Sequence, residues 1–352
     1  MKIAVLLLPG IGDSLMATPM IRILRKNFPK AQIDVLCMFK TVQYVFKNNK
    51  YVDHVFYLPL YTENRLKATR NIFSYRIKNY DISILGFPSF RKEYHVVQWL
   101  LGAKKRIAHR FKKGYFRELN FLDTNLVKVD ENVHNVINDL NLLGSLGIDW
   151  TKDEHAESLE YDLSLDSSDL YFGNKYIKKL GWEKDFLVGL HPGSIDSPAG
   201  VLKRWPVEKF TILAKKLISK KNKILIFCGP FEKSIGDQII NGVRDWKNCQ
   251  LVTGISFGQS LGILQNINLF ISNDNGFAHI SNALKVKNIV LFGPTNPSWC
   301  SPYNMRYSAS IRKARFTPWF RNDIKVTDRP KGVRSGMEAI KVNDVIGKLE
   351  EV

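Results

Sequence analysis

Short, nearly uninterrupted apolar runs constrain this chain most. They fall at residues 3–8, 33–38 and 82–85, and again at 186–190, 224–228, 269–271 and 289–292. A strand with one wet face alternates apolar and polar residues, whereas a run without alternation is covered on both faces, as in a parallel sheet flanked by helices. The intervening stretches read as those helices. After Thr18-Pro19, an N-cap followed by proline at N1, residues Ile21, Leu24 and Phe28 share one face. Phe210, Leu213, Leu217 and Ile218 do the same ahead of the run at 224–228. At 352 residues the chain exceeds one ordinary core and fits two. An acidic, Ser/Asp-rich stretch at 151–169 separates the halves. The reading is α/β: two doubly wound halves, with ligands at the carboxyl ends of the strands and the active site between the halves.

Candidate chemistry sits at those carboxyl ends. The first run leads into Pro9-Gly10-Ile11-Gly12-Asp13. Two glycines after a strand are half of a dinucleotide fingerprint, but Leu15 stands where the third would be. They read better as room for a ligand beside the backbone. Asp13 is either a carboxylate at a helix start or a general base that takes a proton from an attacking hydroxyl. His191-Pro192-Gly193-Ser194 follows the run at 186–190 and places a glycine and a hydroxyl where phosphate is often held. Lys203-Arg204-Trp205-Pro206 then offers two cations, either solvated or set to neutralise a leaving diphosphate. Glu232, in Gly229-Pro230-Phe231-Glu232, either accepts from ribose hydroxyls or caps a helix. In Asn273-Asp274-Asn275-Gly276-Phe277-Ala278-His279, more capping residues precede the helix than one cap requires, which favours an anion site. His279 alone reads as structural as readily as functional.

No H-E-x-x-H, Walker A or G-x-S-x-G pattern occurs, and no paired metal-ligand spacing, so the expectation is chemistry without cofactor or metal. Cys37, Cys228, Cys249 and Cys300 lack a C-x-x-C spacing, and two lie in apolar runs, which points to free thiols in a reducing compartment. No stretch approaches the ~20 apolar residues of a spanning helix. The expectation is a cytosolic protein, at most peripheral to a membrane.

Lys and Arg number 52 against 33 Asp and Glu, a net charge of +19. Residues 40–117 hold 17 basic and 4 acidic residues, while 118–165 hold 2 and 11. The first block suits anionic partners: nucleic acid, a membrane surface or a phosphorylated small molecule. No nucleic-acid-binding module is recognisable in it.

In this order and spacing the segments resemble the heptosyltransferase family, glycosyltransferase family 9. The likeness runs through Gly12-Asp13 with Thr18-Pro19, Phe87-Pro88-Ser89-Phe90-Arg91, His191-Pro192-Gly193-Ser194, Lys203-Arg204-Trp205-Pro206, Gly229-Pro230-Phe231-Glu232, Thr253-Gly254, Asn273-Asp274-Asn275-Gly276 with His279, and Phe292-Gly293-Pro294-Thr295. It covers nearly the whole chain. Two departures stand out: Asn275 occupies a position usually held by Ser or Thr, and a cysteine-containing C-terminal pattern of many members is missing.

The resemblance implies a GT-B fold of two Rossmann-like domains facing across a cleft. Residues 1–165 would bind the acceptor, 166–334 the nucleotide-sugar donor, and 335–352 would form a helix returning toward the first domain. It implies an inverting, metal-independent transfer, with heptose from ADP-heptose as the family donor and a lipopolysaccharide-core or related envelope glycan as acceptor. Asp13 would be the base, with Gly12 and Arg91 on the acceptor side. Ser194, Lys203, Arg204, Glu232, Asp274, Asn275, Gly276, Phe277 and His279 would hold the donor, with backbone amides at the helix start on phosphate. The partners would be a nucleotide-diphosphate sugar, a phosphorylated lipid-linked acceptor and an anionic membrane surface on the cytoplasmic side, with no nucleic acid. The basic residues at 104–117, interleaved with Phe111, Tyr115 and Phe116, and the stretch from Arg312 to Arg334, would supply surface docking. A nucleotide-sugar epimerase on the same fold and a basic nucleic-acid-binding protein are the competing readings.

Overall fold

A computed structural model describes residues 1–60, 63–111, 116–153, 159–195, 197–303, 306–315 and 335–349. Its internal contacts divide the chain into two units, Met1–Ser164 and Leu165–Val352. The first unit has strands β1 (Lys2–Leu7), β2 (Gln32–Cys37), β3 (His54–Tyr57), β4 (Ile82–Leu85), β5 (Lys105–Arg110) and β6 (Asn125–Lys128). The second has β7 (Leu187–His191), β8 (Lys223–Phe227), β9 (Cys249–Val252), β10 (Leu269–Asn273), β11 (Lys287–Phe292) and β12 (Ser308–Arg312). Each unit is one six-stranded sheet, ordered β3-β2-β1-β4-β5-β6 and β12-β11-β10-β7-β8-β9, and every pairing is parallel. The parallel α/β expectation holds in both halves.

The apolar runs correspond to the sheet centres. The strands that carry no such run are β5 and the edge strands β3, β6, β9 and β12. An edge strand is covered less completely and tolerates polar residues, as in Asn125-Leu126-Val127-Lys128. In both sheets the strand order reverses beside the first strand of the unit, between β1 and β4 and between β7 and β10. Such a reversal splays the connecting loops apart at the carboxyl ends and leaves a crevice for ligand.

Packing bears on three segments. Thr18 is the first residue of helix Thr18–Asn27 rather than its cap: its hydroxyl donates to Leu15 O at 2.7 Å and accepts from Asp162 N at 3.0 Å, stitching residue 162 to the helix start. Helix Val207–Ser219 buries Phe210, Leu213 and Leu217 against β8, as its periodicity requires. The C-terminal residues enlarge the second core. Met337, Ile340 and Val345 are fully buried there, and Trp205 Nε1 donates to Ile340 O at 3.0 Å. Helices Ser167–Leu180 and Phe257–Leu264 approach so closely that a Cβ on Gly173 would overlap Gly262 O, and one on Gly262 would overlap Asp169 O. Only glycine fits at that crossing. Among the described residues no helix is long and apolar enough to cross a membrane.

Candidate functional site

The reversal point of the second sheet gathers most of the predicted donor residues. His191 ends β7, Asn273 ends β10, and Asn275 is the N-cap of helix Gly276–Ala283. Asn275 Oδ1 accepts from Phe277 N at 2.9 Å and Ala278 N at 3.4 Å. Its Nδ2 donates to Gly193 O and to His191 Nδ1, both at 3.0 Å. An amide has the two N–H bonds this needs, whereas the single proton of a Ser or Thr could serve only one partner. The departure at this position therefore ties the β7 loop to the β10 helix.

That tie also fixes a tautomer. Because His191 Nδ1 accepts, its proton sits on Nε2, 3.4 Å from Glu232 Oε2. Burial pushes the His191 pKa down, opposed in part by Glu232, so a neutral ring fits the site. The ring stacks on Phe277 with centroids 4.6 Å apart, and Phe277 in turn meets Phe227, Phe257 and Phe270. The same Glu232 oxygen accepts from Gly229 N at 3.0 Å. A Cβ on Gly193 would collide with its carboxylate, so glycine there keeps Glu232 in place.

The two cations come in on a separate loop. Lys203 Nζ lies 2.8 Å from Asp274 Oδ2, which also accepts from the Thr295 hydroxyl at 2.8 Å. Arg204 donates to Ser194 O at 2.9 Å. The indole next to them is an anchor: Trp205 is 1% exposed, and its backbone N–H donates to Asn273 Oδ1 at 3.0 Å. Asn273 Nδ2 donates onward to Pro192 O and Gly193 O, so one buried amide joins the two loops. His279 is buried in the helix behind. Ser194, Lys203, Arg204, Glu232, Asp274, Asn275, Gly276 and Phe277 are thus assembled at the carboxyl ends of β7, β8 and β10. The expected amide cradle is largely closed: the N–H groups of Asp274, Phe277 and Ala278 are held by Leu291 O and Asn275 Oδ1. The helix cap holds the N–H groups of Phe277 and Ala278 in this structure.

In the first unit Gly10 has φ −68° and is the N-cap of helix Ile11–Met16, with Gly12 and half-buried Asp13 in its first turn. No atom lies within 4 Å of a Cβ placed on Gly10, so the space beside it is open. Sequence reasoning missed Asp139, on helix Asn135–Asn141. It is 1% exposed, Oδ1 accepts from Phe87 N at 2.8 Å, and among the described residues Oδ2 has no hydrogen-bond partner. Burial, reinforced by the neighbouring Asp13 charge, holds the Asp139 carboxyl well above the usual range. Both causes favour the neutral form of Asp139. Its one local signal is a polar face, Asn135, Asn138 and Asp139, buried on a short helix.

Arg91 lies on the neighbouring loop after β4, as the N-cap of helix Lys92–Leu101, with its guanidinium 6.0 Å from the Tyr94 ring centroid. The loop is fixed from behind. His95 bridges Asp123 Oδ2 at 2.8 Å to Ser89 O at 2.7 Å, and Ser89 Oγ reaches His109, whose burial pushes its pKa down to about 4.

The block at 104–117 is mixed: Lys104, Arg110, Phe116 and Arg117 are exposed, while others turn to the protein. Lys105 donates to Ser145 O, Arg106 to Leu122 O and Ala103 O, and Phe111 packs on Phe87, Phe90 and His109. Lys112, Lys113 and Tyr115, and residues 316–334, lie outside the described residues.

The profile of glycosyltransferase family 9 (heptosyltransferase) matches residues 78–324. Lipooligosaccharide heptosyltransferase 2 of Haemophilus ducreyi is 26% identical over 313 residues, covering 86% of each chain. Lipopolysaccharide heptosyltransferase 2 of Escherichia coli is 24% identical over 311 residues, covering 86% of this chain and 85% of the relative. The solved structure of a family 9 glycosyl transferase from Veillonella parvula aligns with a TM-score of 0.78 at 21% identity, over 99% of this chain and 96% of that one. ADP-heptose lps heptosyltransferase II of E. coli aligns with a TM-score of 0.74 at 20% identity, over 100% and 98%. At these identities the structural likeness establishes the fold, two Rossmann-like domains of the GT-B type.

Proposed function

The chain belongs to glycosyltransferase family 9 (heptosyltransferase), and on that premise we propose an inverting, metal-independent transfer of heptose from ADP-heptose to a lipopolysaccharide-core or related envelope glycan. The acceptor is phosphorylated and lipid-linked, and the enzyme meets it at the anionic cytoplasmic face of the membrane. The observation that carries the reading is the clustering of Lys203, Arg204, Glu232 and the Asn275–His191 tie at one sheet reversal, with Asp13 at the other.

In this reading Asp13 takes the proton from the acceptor hydroxyl as its oxygen bonds to the anomeric carbon. The bond from that carbon to the diphosphate oxygen breaks, and the nucleoside diphosphate leaves with the electron pair. Lys203 and Arg204 stabilise the charge that grows on it, an effect strongest in the transition state. Glu232, oriented by Gly229 N and the His191 Nε2–H, accepts from ribose hydroxyls. Ser194 lines the phosphate side, and Gly12 and Arg91 lie on the acceptor side.

A thermal-shift screen against ADP-, GDP-, UDP- and dTDP-heptose tests the donor, because a ligand that binds only the folded state raises the apparent melting temperature. Stabilisation by the ADP sugar alone, with glycan extension that persists in EDTA, is the expected result. A shift by another nucleotide replaces adenine, and sugar rearrangement without acceptor replaces transfer by epimerisation.

A further inference from the structure

The outward side of helix Arg65–Ser74 and of the helical turn Tyr75–Lys78 that continues it has no part in the site described above. Its inner side is fastened down: Ile72 is buried in the first-unit core, and Tyr75 packs against it. On the opposite side Leu66 is 85% exposed, Phe73 53% and Ile77 77%. Spacings of seven and four residues put these three side chains on one stripe. A single exposed leucine needs no explanation, but three large apolar side chains in one row do.

The charges around the stripe are of one sign. Residues 64–80 contain five basic residues, Arg65, Lys67, Arg70, Arg76 and Lys78, and no Asp or Glu. Lys67 pairs with Glu63 at the edge of this stretch while staying exposed, and Arg76 lies 5.6 Å from the Phe73 ring centroid. Apolar tips ringed by cations are the composition of a helix that lies in a membrane interface. A second copy of the chain would bring like charges together. A protein partner of ordinary affinity would need about 800 Å² of complementary surface per side, whereas a bilayer accepts a narrow stripe.

We infer that this face docks the protein on an anionic lipid bilayer. Leu66, Phe73 and Ile77 enter the boundary between headgroups and acyl chains, and Lys67, Arg70 and Arg76 meet lipid phosphates. The purpose of the contact rests on the proposed membrane-borne acceptor, but the contact itself is measured without any sugar transfer.

Co-sedimentation with phosphatidylglycerol/phosphatidylethanolamine vesicles, and with pure phosphatidylcholine vesicles, tests it. The wild-type protein binds the anionic vesicles, and binding weakens with salt. The triple variant Leu66→Ser, Phe73→Ser, Ile77→Ser loses about a hundredfold in partitioning, keeps its melting temperature, and transfers sugar to a deacylated, water-soluble acceptor at the wild-type rate. A control carrying Lys104→Ala, Arg110→Ala and Arg117→Ala binds vesicles as the wild type does. Equal partitioning of the triple variant and wild type overturns the inference. So does loss of binding in the control alone, or a wild-type dimer that the triple variant turns into monomer. Vesicle binding without transfer to any acceptor leaves the docking face standing and removes the transferase reading; transfer without vesicle binding does the reverse.

Discussion

Lys203 Nζ lies 2.8 Å from Asp274, whose side chain is 7% exposed, so the lysine meets a carboxylate before it meets any ligand. A donor diphosphate must share this cation with Asp274 rather than capture an idle one. Lys203→Ala leaves Asp274 buried without its partner and destabilises the protein by about 2–3 kcal/mol, while weakening nucleotide-sugar binding. Adding Asp274→Asn removes the uncompensated charge and restores most of the stability, but not the affinity. Denaturant melts beside calorimetric titration with ADP-heptose separate the two effects. Unchanged donor affinity in Lys203→Ala removes the lysine from the diphosphate site.

Asn275 combines a cap with a tie, and the two can be separated. Asn275→Ser keeps an oxygen for the Phe277 and Ala278 amides but, with a single proton, loses at least one of the donations to Gly193 O and His191 Nδ1. At about 1 kcal/mol per hydrogen bond it lowers stability by about 1–2 kcal/mol. Asn275→Ala also loses the cap, a further ~1 kcal/mol. With His191 no longer held, Glu232 loses part of its orientation, and the donor KM rises roughly fivefold in Asn275→Ser while kcat changes little. Steady-state kinetics with varied donor and saturating acceptor measure it. An unchanged KM means that the tie serves folding alone.

How far the chain could be read in advance follows from what covers each strand. The runs at β1, β2, β4, β7, β8, β10 and β11 were visible because helices close both faces of a sheet centre. Asn125-Leu126-Val127-Lys128 at an edge has no such requirement and leaves no mark. Residues following a central strand were visible as site candidates for the same reason, which is how Asp13, Glu232 and Asp274 stood out. The bonds among His191, Asn275 and Gly193 join residues more than 80 positions apart, and no local pattern encodes them. Asp139 comes from a helix far along the chain from β1, and its meaning depends on the Asp13 charge it faces. Thr18 looked like a cap because only the fold supplies the competing partners, Leu15 O and Asp162 N.

The Asp139 carboxyl is held well above its usual range, with burial as the larger cause and Asp13 as a smaller one. For a carboxyl whose pKa is raised on folding, the stability it contributes is complete below the unfolded value near 4 and is lost as pH rises toward the folded value. Asp139→Asn keeps an oxygen for Phe87 N and needs no proton. Its melting temperature is therefore expected to match the wild type near pH 4 and to exceed it increasingly as pH rises from there. The free-energy gap grows by up to about 1.4 kcal/mol per pH unit within that window. A gap that is flat with pH, or that widens toward acid, would show that Asp139 is ionised in the folded protein.

Asp13 carries the strongest mechanistic claim and has the plainest structural competitor, since an acidic residue in the first turn of Ile11–Met16 is favourable by position alone. The two roles give opposite signatures in Asp13→Asn. If the carboxylate only supports the helix start, the variant loses about 0.3–1 kcal/mol of stability and turns over normally. If it takes the acceptor proton, stability and donor affinity stay close to wild type while kcat falls by about 10²–10⁴-fold. Single-turnover transfer at saturating donor, with melting curves on the same samples, decides between them. Retention of most of the wild-type rate removes Asp13 from the base role and leaves Gly12-Asp13 as a helix start.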